Sequence, residues 1–165
     1  MAYQQLWLLR HGEAVPHDSK PDDQRELTAR GERQSTAAGA ALARLGVEFA
    51  ACLTSPLVRA RQTAELACAT LSVEPEERAG LGKGFDAAAA RDLLAEHPTG
   101  ARVLMVGHNP SFEQVVLDLC GAHVDFKKGG LAAVRIESGR GLLLALMRPR
   151  ELESLGADAL AHASG

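Results

Sequence analysis

The sequence predicts a single-domain α/β protein: a three-layer α/β/α arrangement around a mostly parallel sheet. Short apolar runs alternate with longer stretches of helical spacing, the order that builds a parallel sheet covered on both faces. At 165 residues the chain is long enough for one core and short for two. Hydrophobic residues make up 46% and charged residues 24%, which is ordinary globular usage and excludes disordered and collagen-like classes.

The elements follow in order. Gln5–Leu9 is a short apolar run and forms the first strand. Val15–Glu26, with Pro16, Asp18, Pro21, Asp22 and Asp23, is a loop by composition. Thr28–Leu45 is a helix: Thr28 is its N-cap, Ala37, Ala41, Leu42 and Leu45 recur at helical spacing, and Gly46 ends it. Phe49–Thr54 is the second strand. Ser55-Pro56 then opens a helix to about Leu71, with Ser as cap and Pro at the first helical position. Ala87–Glu96 is an Ala-rich helix and Val103–Val106 a strand. Asn109-Pro110 repeats the cap-and-proline device and opens a helix to Cys120. Leu131–Ile136 and Leu142–Met147 are strands around a Ser138-Gly139 turn. Glu151–His162 is expected as a helix that frays, and 156–165 as a tail open to disorder. One domain spans 1–165 with no large insertion.

Charge and composition bound the partners. Acidic residues outnumber basic ones 21 to 18, a net charge of −3, which argues against nucleic acid and anionic membranes. Aromatics at 4% are too few for base-stacking platforms. Cys52, Cys68 and Cys120 are an odd number without close spacing, expected as reduced thiols in a cytoplasmic protein. The N-terminus shows no basic region followed by an apolar run and a cleavage site, so no export is expected. The longest aliphatic run, Leu142–Met147, falls far short of the roughly 20 residues that cross a bilayer.

In sheets of this kind ligands bind beyond the carboxyl ends of the strands. After the first strand come Arg10, His11, Gly12 and Glu13; after the second, Ser55, Pro56 and Arg59; after Val103–Val106, Gly107, His108 and Asn109. Two of these junctions run into helix N-termini, which favour anions. Arginines bring forked donors that suit phosphate oxygens. Together they describe a pocket for a phosphoryl dianion beside two imidazoles. Arg59 and Arg61 lie about 200° apart around a helix, so both cannot face it.

These residues resemble a known family. Leu9-Arg10-His11-Gly12-Glu13 is similar to the Arg-His-Gly signature of the histidine phosphatase superfamily, which includes the cofactor-dependent phosphoglycerate mutases. Leu27-Thr28-Ala29-Arg30-Gly31 is similar to its Leu-Thr-x-x-Gly segment, the block from Thr54 to Ala64 to its Ser-Pro-x-x-Arg-Ala-x-Gln-Thr motif, and Val106-Gly107-His108-Asn109-Pro110 to its Gly-His block. The four occur in the family's order over roughly residues 5 to 120. Compactness resembles the phosphohistidine phosphatases of the SixA type, and the implied fold is phosphoglycerate mutase-like.

The resemblance implies His11 as nucleophile, with Arg10, Arg59 and His108 holding the phosphoryl oxygens, and it favours Arg59 over Arg61. A neutral imidazole can attack phosphorus in line, and water then hydrolyses the phosphohistidine. Gly12, Glu13, Asn109 and the amides of the helix after Pro110 are further candidate substrate contacts. No cofactor and no metal is implied. Many members of the family carry a glutamate between the Arg59 and His108 blocks that protonates the leaving oxygen. This chain reads Ala79-Gly80-Leu81-Gly82-Lys83-Gly84-Phe85-Asp86 there, with Glu76 and Glu77 earlier. A general acid is worth about 10² to 10⁴ in rate. Its lack favours an imidazole leaving group, with a pKa of about 6.5 as a free side chain, over an alkoxide. Glu13 and Asp86 remain as proton donors, although Asp86 also reads as a helix N-cap.

The expected substrate is therefore a phosphohistidine protein, with a small phosphorylated metabolite as the alternative. Lys127 and Lys128 could approach an acidic protein, though they also read as a solvated turn. Two further readings are a phosphate-binding module without turnover, and metal-dependent hydrolysis through His11, Glu13, His17 and Asp18 with His108. The sequence lacks a His-Glu-x-x-His pair and paired cysteine ligands for the latter.

Overall fold

The computed structural model describes residues 2–163, and for 158–163 the backbone alone. The chain forms β1 (Tyr3–Arg10), α1 (Ala29–Arg44), β2 (Ala51–Thr54), α2 (Val58–Cys68), β3 (Pro75–Glu77), α3 (Ala87–Ala95), β4 (Arg102–Gly107), α4 (Ser111–Cys120), β5 (Leu131–Glu137), β6 (Arg140–Met147) and α5 (Pro149–Ala163). They make a single α/β domain. Of the expected tail 156–165, the backbone is helical to residue 163, and 164–165 lie outside the described residues.

The six strands form one sheet in the order β3-β2-β4-β1-β5-β6. Pairings among β1 to β4 are parallel, whereas β5 runs antiparallel to β1 and β6 antiparallel to β5. The sheet is thus mixed, and its parallel part is the half that carries the candidate site. The hairpin departs because a two-residue turn joins only antiparallel neighbours. Ser138 and Gly139 both take positive φ, 52° and 76°, as the primed hairpin turns require. β3 is the one strand the sequence did not announce, since Pro75-Glu76-Glu77 has no apolar run and pairs only along β2.

Alternation along the central strands builds both cores. Leu6 and Leu8 of β1 join Val103 and Met105 of β4 against α3 and α4, where Leu94, Phe112 and Val116 are buried. Trp7 and Leu9 join Leu104 and Val106 against the opposite layer, with Leu42, Ala64 and Leu152. Buried on both faces, these strands read as continuous apolar runs.

Register then brings the site together. Arg10 at the end of β1 pairs with Gly107 at the end of β4, and Thr54 of β2 with Val106. His11 and His108 are therefore the next residues beyond two adjacent parallel strands, and Ser55 the next beyond a third. The His11 amide donates to the Gly107 carbonyl at 3.0 Å, and the Ser55 amide to Val106 at 3.0 Å, so the ladder extends into the site.

Two helix starts differ from the sequence reading. α2 begins at Val58, because Ser55 Oγ accepts from the Leu57 amide at 3.2 Å and caps a turn ahead of the helix. α4 begins at Ser111, with Asn109 Oδ1 accepting from the Glu113 amide at 3.3 Å.

Candidate active site

His11 is held by its own neighbour. Its Nδ1 donates to the Gly12 carbonyl at 2.7 Å, which leaves the lone pair on Nε2. Gly12 is fixed in turn by its amide, which donates to Thr63 Oγ1 at 3.1 Å. A Cβ on Gly12 would lie 2.6 Å from the Gly31 carbonyl oxygen, so only glycine lets the strand end lie against the start of α1. Gly12 is therefore a support for His11, and its amide is not directed at a substrate. His11 is 5% exposed. Burial pushes its pKa down to about 3; the Gly12 bond opposes this, and the charges of His108, Arg59 and Arg10 add to it. The ring is neutral at pH 7, as a nucleophile requires.

The His11 and His108 rings stand with centroids 5.3 Å apart. His108 Nε2 lies 2.7 Å from Ser55 Oγ. That hydroxyl oxygen accepts the Leu57 amide with one lone pair and keeps a second, so it can meet Nε2 as donor or as acceptor according to the ring tautomer. With the ring's hydrogen on Nδ1, a nitrogen buried without a partner among the described residues, the serine donates to Nε2. Burial and then Arg59 push His108 down to about 4, with Asp22 pulling the other way. The ring is neutral at pH 7.

The two arginines share one design. Arg10 Nη1 donates to the Phe126 carbonyl at 2.6 Å, and Arg59 Nη1 to the Asp22 carbonyl at 2.7 Å. Each guanidinium keeps a buried Nε with no protein acceptor. An unsatisfied buried donor costs about 1–3 kcal/mol, and here two of them, Arg10 Nε and Arg59 Nε, belong to residues grouped at neighbouring strand ends, with His108 Nδ1 a third when it carries the ring's hydrogen. Such a cluster is suited to an incoming oxyanion. Arg61 turns away to Glu77 at 3.1 Å and is exposed, whereas Arg59 is 7% exposed.

The remaining candidates divide. Glu13 carries its carboxylate to Thr28 Oγ1 at 2.9 Å and to Arg30 at 3.5 Å, on the wall of a cleft of about 610 Å³ beside Arg10. Lys127 and Lys128 line the same cleft, Lys127 paired with Asp125 at 2.9 Å. Asp86 caps α3, accepting from the Ala89 amide at 2.8 Å, as the N-cap reading has it. Asn109 donates to the Phe126 carbonyl at 3.1 Å, and the amides of Phe112, Glu113 and Gln114 have acceptors within their own turn. These three amides at the start of α4 are thus engaged in the fold, while Asn109 and Ser111 line the cavity of Arg59 and His108. His17 is exposed and reaches only Asp22, at 4.0 Å. Among the described residues no group of three or more His, Cys, Asp or Glu side chains is placed to hold a metal ion. Among them, too, no helix is long and apolar enough to cross a membrane.

Some contributors were not assigned from sequence. Asp22, read only as part of a loop, accepts from Arg59 Nη2 at 3.4 Å and from Arg25 Nε at 3.2 Å. Thr63 joins Gly12 to the Arg59 carbonyl, to which it donates at 2.8 Å. Gln34 Oε1 takes the Glu13 amide at 2.9 Å, and Gln62 Oε1 the Leu27 amide at 2.8 Å. The matching motif flagged Gln62 and Thr63, but nothing local flagged Asp22.

A nucleophilic imidazole, a second imidazole as donor and two partly unsatisfied guanidiniums can take a tetrahedral phosphoryl group and stabilise its transfer to nitrogen. Known proteins agree with that chemistry. The family model of the histidine phosphatase superfamily (branch 1) matches residues 6–82. An uncharacterised protein of Picosynechococcus sp. is 35% identical over 144 residues, 82% of this chain and 87% of that one. The solved protein histidine phosphatase SixA complexed with tungstate is 30% identical, with a TM-score of 0.79 over 90% of this chain and 99% of its own. An α-ribazole phosphatase from Shigella flexneri, at 20% identity, shares the fold with a TM-score of 0.71 over 88% of this chain and 96% of its own.

Proposed function

The chain belongs to the histidine phosphatase superfamily and is a phosphatase, and on that premise we propose that its substrate is a phosphohistidine carried on a protein. His11 Nε2 attacks phosphorus in line while Arg10, Arg59 and His108 hold the three equatorial oxygens. The P–N bond of the substrate breaks, its electron pair returns to the departing ring, and water then releases phosphate from His11. One observation carries the choice of leaving group. The cavity of about 280 Å³ walled by Arg59 and His108 is closed on another side by Gly82-Lys83-Gly84, a stretch with no carboxylic acid. A departing alkoxide finds no carboxylic acid there, whereas an imidazole protonated on its far nitrogen needs none.

The cleft beside Arg10, lined also by Arg30, Lys128 and Arg150, favours a second reading. Its volume suits a small phosphorylated metabolite, and its cations outnumber the carboxylates of Glu13, Glu113, Asp125 and Glu153. Turnover of a phosphohistidine protein compared with that of sugar phosphates separates the two. The first reading expects the protein substrate to be faster and an acid-labile, base-stable phosphate on the enzyme that His11→Ala abolishes. Faster sugar-phosphate turnover would overturn it.

A further inference from the structure

The family's proton-donating glutamate belongs to the segment that here forms one wall of the Arg59–His108 cavity without a carboxylate. A carboxylate nevertheless reaches that cavity from a different element. Asp22, at the start of a short 3-10 turn, lines it together with Arg59, Gly82, Gly84 and His108. Arg59 and Arg25 take only part of its capacity, one contact on each oxygen at 3.4 Å and 3.2 Å. A carboxylate offers about four lone-pair sites, and Asp22 is half exposed. Partial burial works to raise its pKa, but the charges and hydrogen bonds of Arg59 and Arg25 outweigh burial and hold it below the ordinary carboxylate range. It is therefore an acceptor at neutral pH and cannot act as the missing acid.

Resting on the phosphohistidine reading, we propose that Asp22 is a specificity-determining residue that accepts a hydrogen bond from the far ring nitrogen of the substrate's phosphorylated imidazole. That contact favours the ring in its protonated form, with hydrogen on the nitrogen away from phosphorus. When His11 Nε2 bonds to phosphorus, the electron pair of the breaking P–N bond neutralises the ring, which leaves as imidazole with the proton it already carried. No proton transfer is needed in the step. The same fixed negative charge opposes an alkoxide leaving group, on which negative charge grows. One side chain thus distinguishes phosphoramidates from phosphomonoesters at the point of bond cleavage.

The test compares phosphoimidazole with p-nitrophenyl phosphate, whose phenolate leaves without a proton. Asp22→Asn keeps the backbone carbonyl that Arg59 uses, so the arginine retains its shorter contact. The ratio of kcat/KM for phosphoimidazole to that for p-nitrophenyl phosphate is expected to fall at least tenfold. The alkaline limb of the phosphoimidazole profile is expected to move to lower pH. The charged and titratable groups around Asp22 that frame this profile are Arg25, Arg59, His17, Lys83 and His108. Asp22→Glu, which keeps the charge, is expected to hold the ratio within a few fold of wild type. Equal losses on both substrates would mean that Asp22 only positions Arg59 and would overturn the proposal, as would an unchanged ratio and pH profile. A wild-type enzyme that hydrolyses p-nitrophenyl phosphate but not phosphoimidazole would instead overturn the phosphohistidine reading, and this proposal with it.

Discussion

His11 and His108 face each other across 5.3 Å with their rings tilted by 53°, and both are neutral for the same first reason, burial. Their folded pKa values, about 3 and about 4, lie below the value of about 6.5 for a free imidazole. The acid limb of kcat/KM, corrected for ionisation of the substrate, is therefore expected to be absent at pH 6.5 and to emerge only towards pH 4. A pH–rate profile on p-nitrophenyl phosphate checks this, and a limb centred near 6.5 would contradict it.

The same shifts fix a stability window. Because both pKa values are depressed by folding, the unfolded chain binds protons that the native state refuses below about 6.5. Stability is fully present above that value and is lost as pH falls towards 4 and 3, on the order of 1 kcal/mol per pH unit per ring. Urea midpoints at pH 7 and pH 4.5 are expected to differ less in His11→Gln than in wild type, since the variant retains only one such ring. An equal or larger difference in the variant would contradict the assignment.

Arg59→Ala removes one side of the oxyanion site together with the anchor on the Asp22 carbonyl. Loss of one preorganised donor typically costs about 10² to 10³ in rate, and a loss of at least that size is expected in kcat. Arg59→Lys is expected to recover little, because a point charge cannot both grip the carbonyl and present a planar fork. The fold should persist in both variants, since α2 is held by Ala60, Ala64 and Ala67 against the sheet. Steady-state kinetics with circular dichroism tests this; an unfolded Arg59→Ala would make the residue structural.

Gly12→Ala probes the contact between the end of β1 and the start of α1. The new Cβ would meet the Gly31 carbonyl at 2.6 Å, backbone against backbone, where no side chain can swing aside. Overpacking of this kind costs about 1–3 kcal/mol. The expected result is a lower urea midpoint together with reduced turnover, because the carbonyl that orients His11 belongs to the displaced residue.

What could be read in advance follows from the range of each interaction. Apolar runs and caps are local signals, so β1, α1, β4 and the β5–β6 hairpin emerged within a few residues of their bounds. The grouping of Arg10, His11, Arg59 and His108 was legible because each lies at or soon after the carboxyl end of a strand in a parallel set, and adjacency at strand ends is a topological consequence. Helix starts were less legible: Ser55-Pro56 has the composition of a cap, but its hydroxyl is drawn to a histidine 53 positions away. β3 lacked an apolar signal because it is an edge strand. Asp22 was least legible, since its chemistry depends on an arginine 37 residues on that its own loop gives no reason to expect.

Ser55 yields the last prediction. Its hydroxyl lies 2.7 Å from His108 Nε2, and as a donor there it favours the ring tautomer with hydrogen on Nδ1, the nitrogen that has no partner among the described residues. Ser55→Ala removes that constraint. The ring can then carry its hydrogen on Nε2 and present a lone pair from Nδ1 towards an anionic phosphoryl oxygen, which repels it. Turnover is therefore expected to fall by roughly tenfold, with the loss in kcat exceeding that in KM, because the donor matters most as charge gathers in the transition state. Ser55→Thr keeps a hydroxyl and should recover part of the rate. Nitrogen chemical shifts of the His108 ring give the direct readout. A population of the Nε2–H tautomer that is the same in wild type and Ser55→Ala would show that the serine does not set the proton's place.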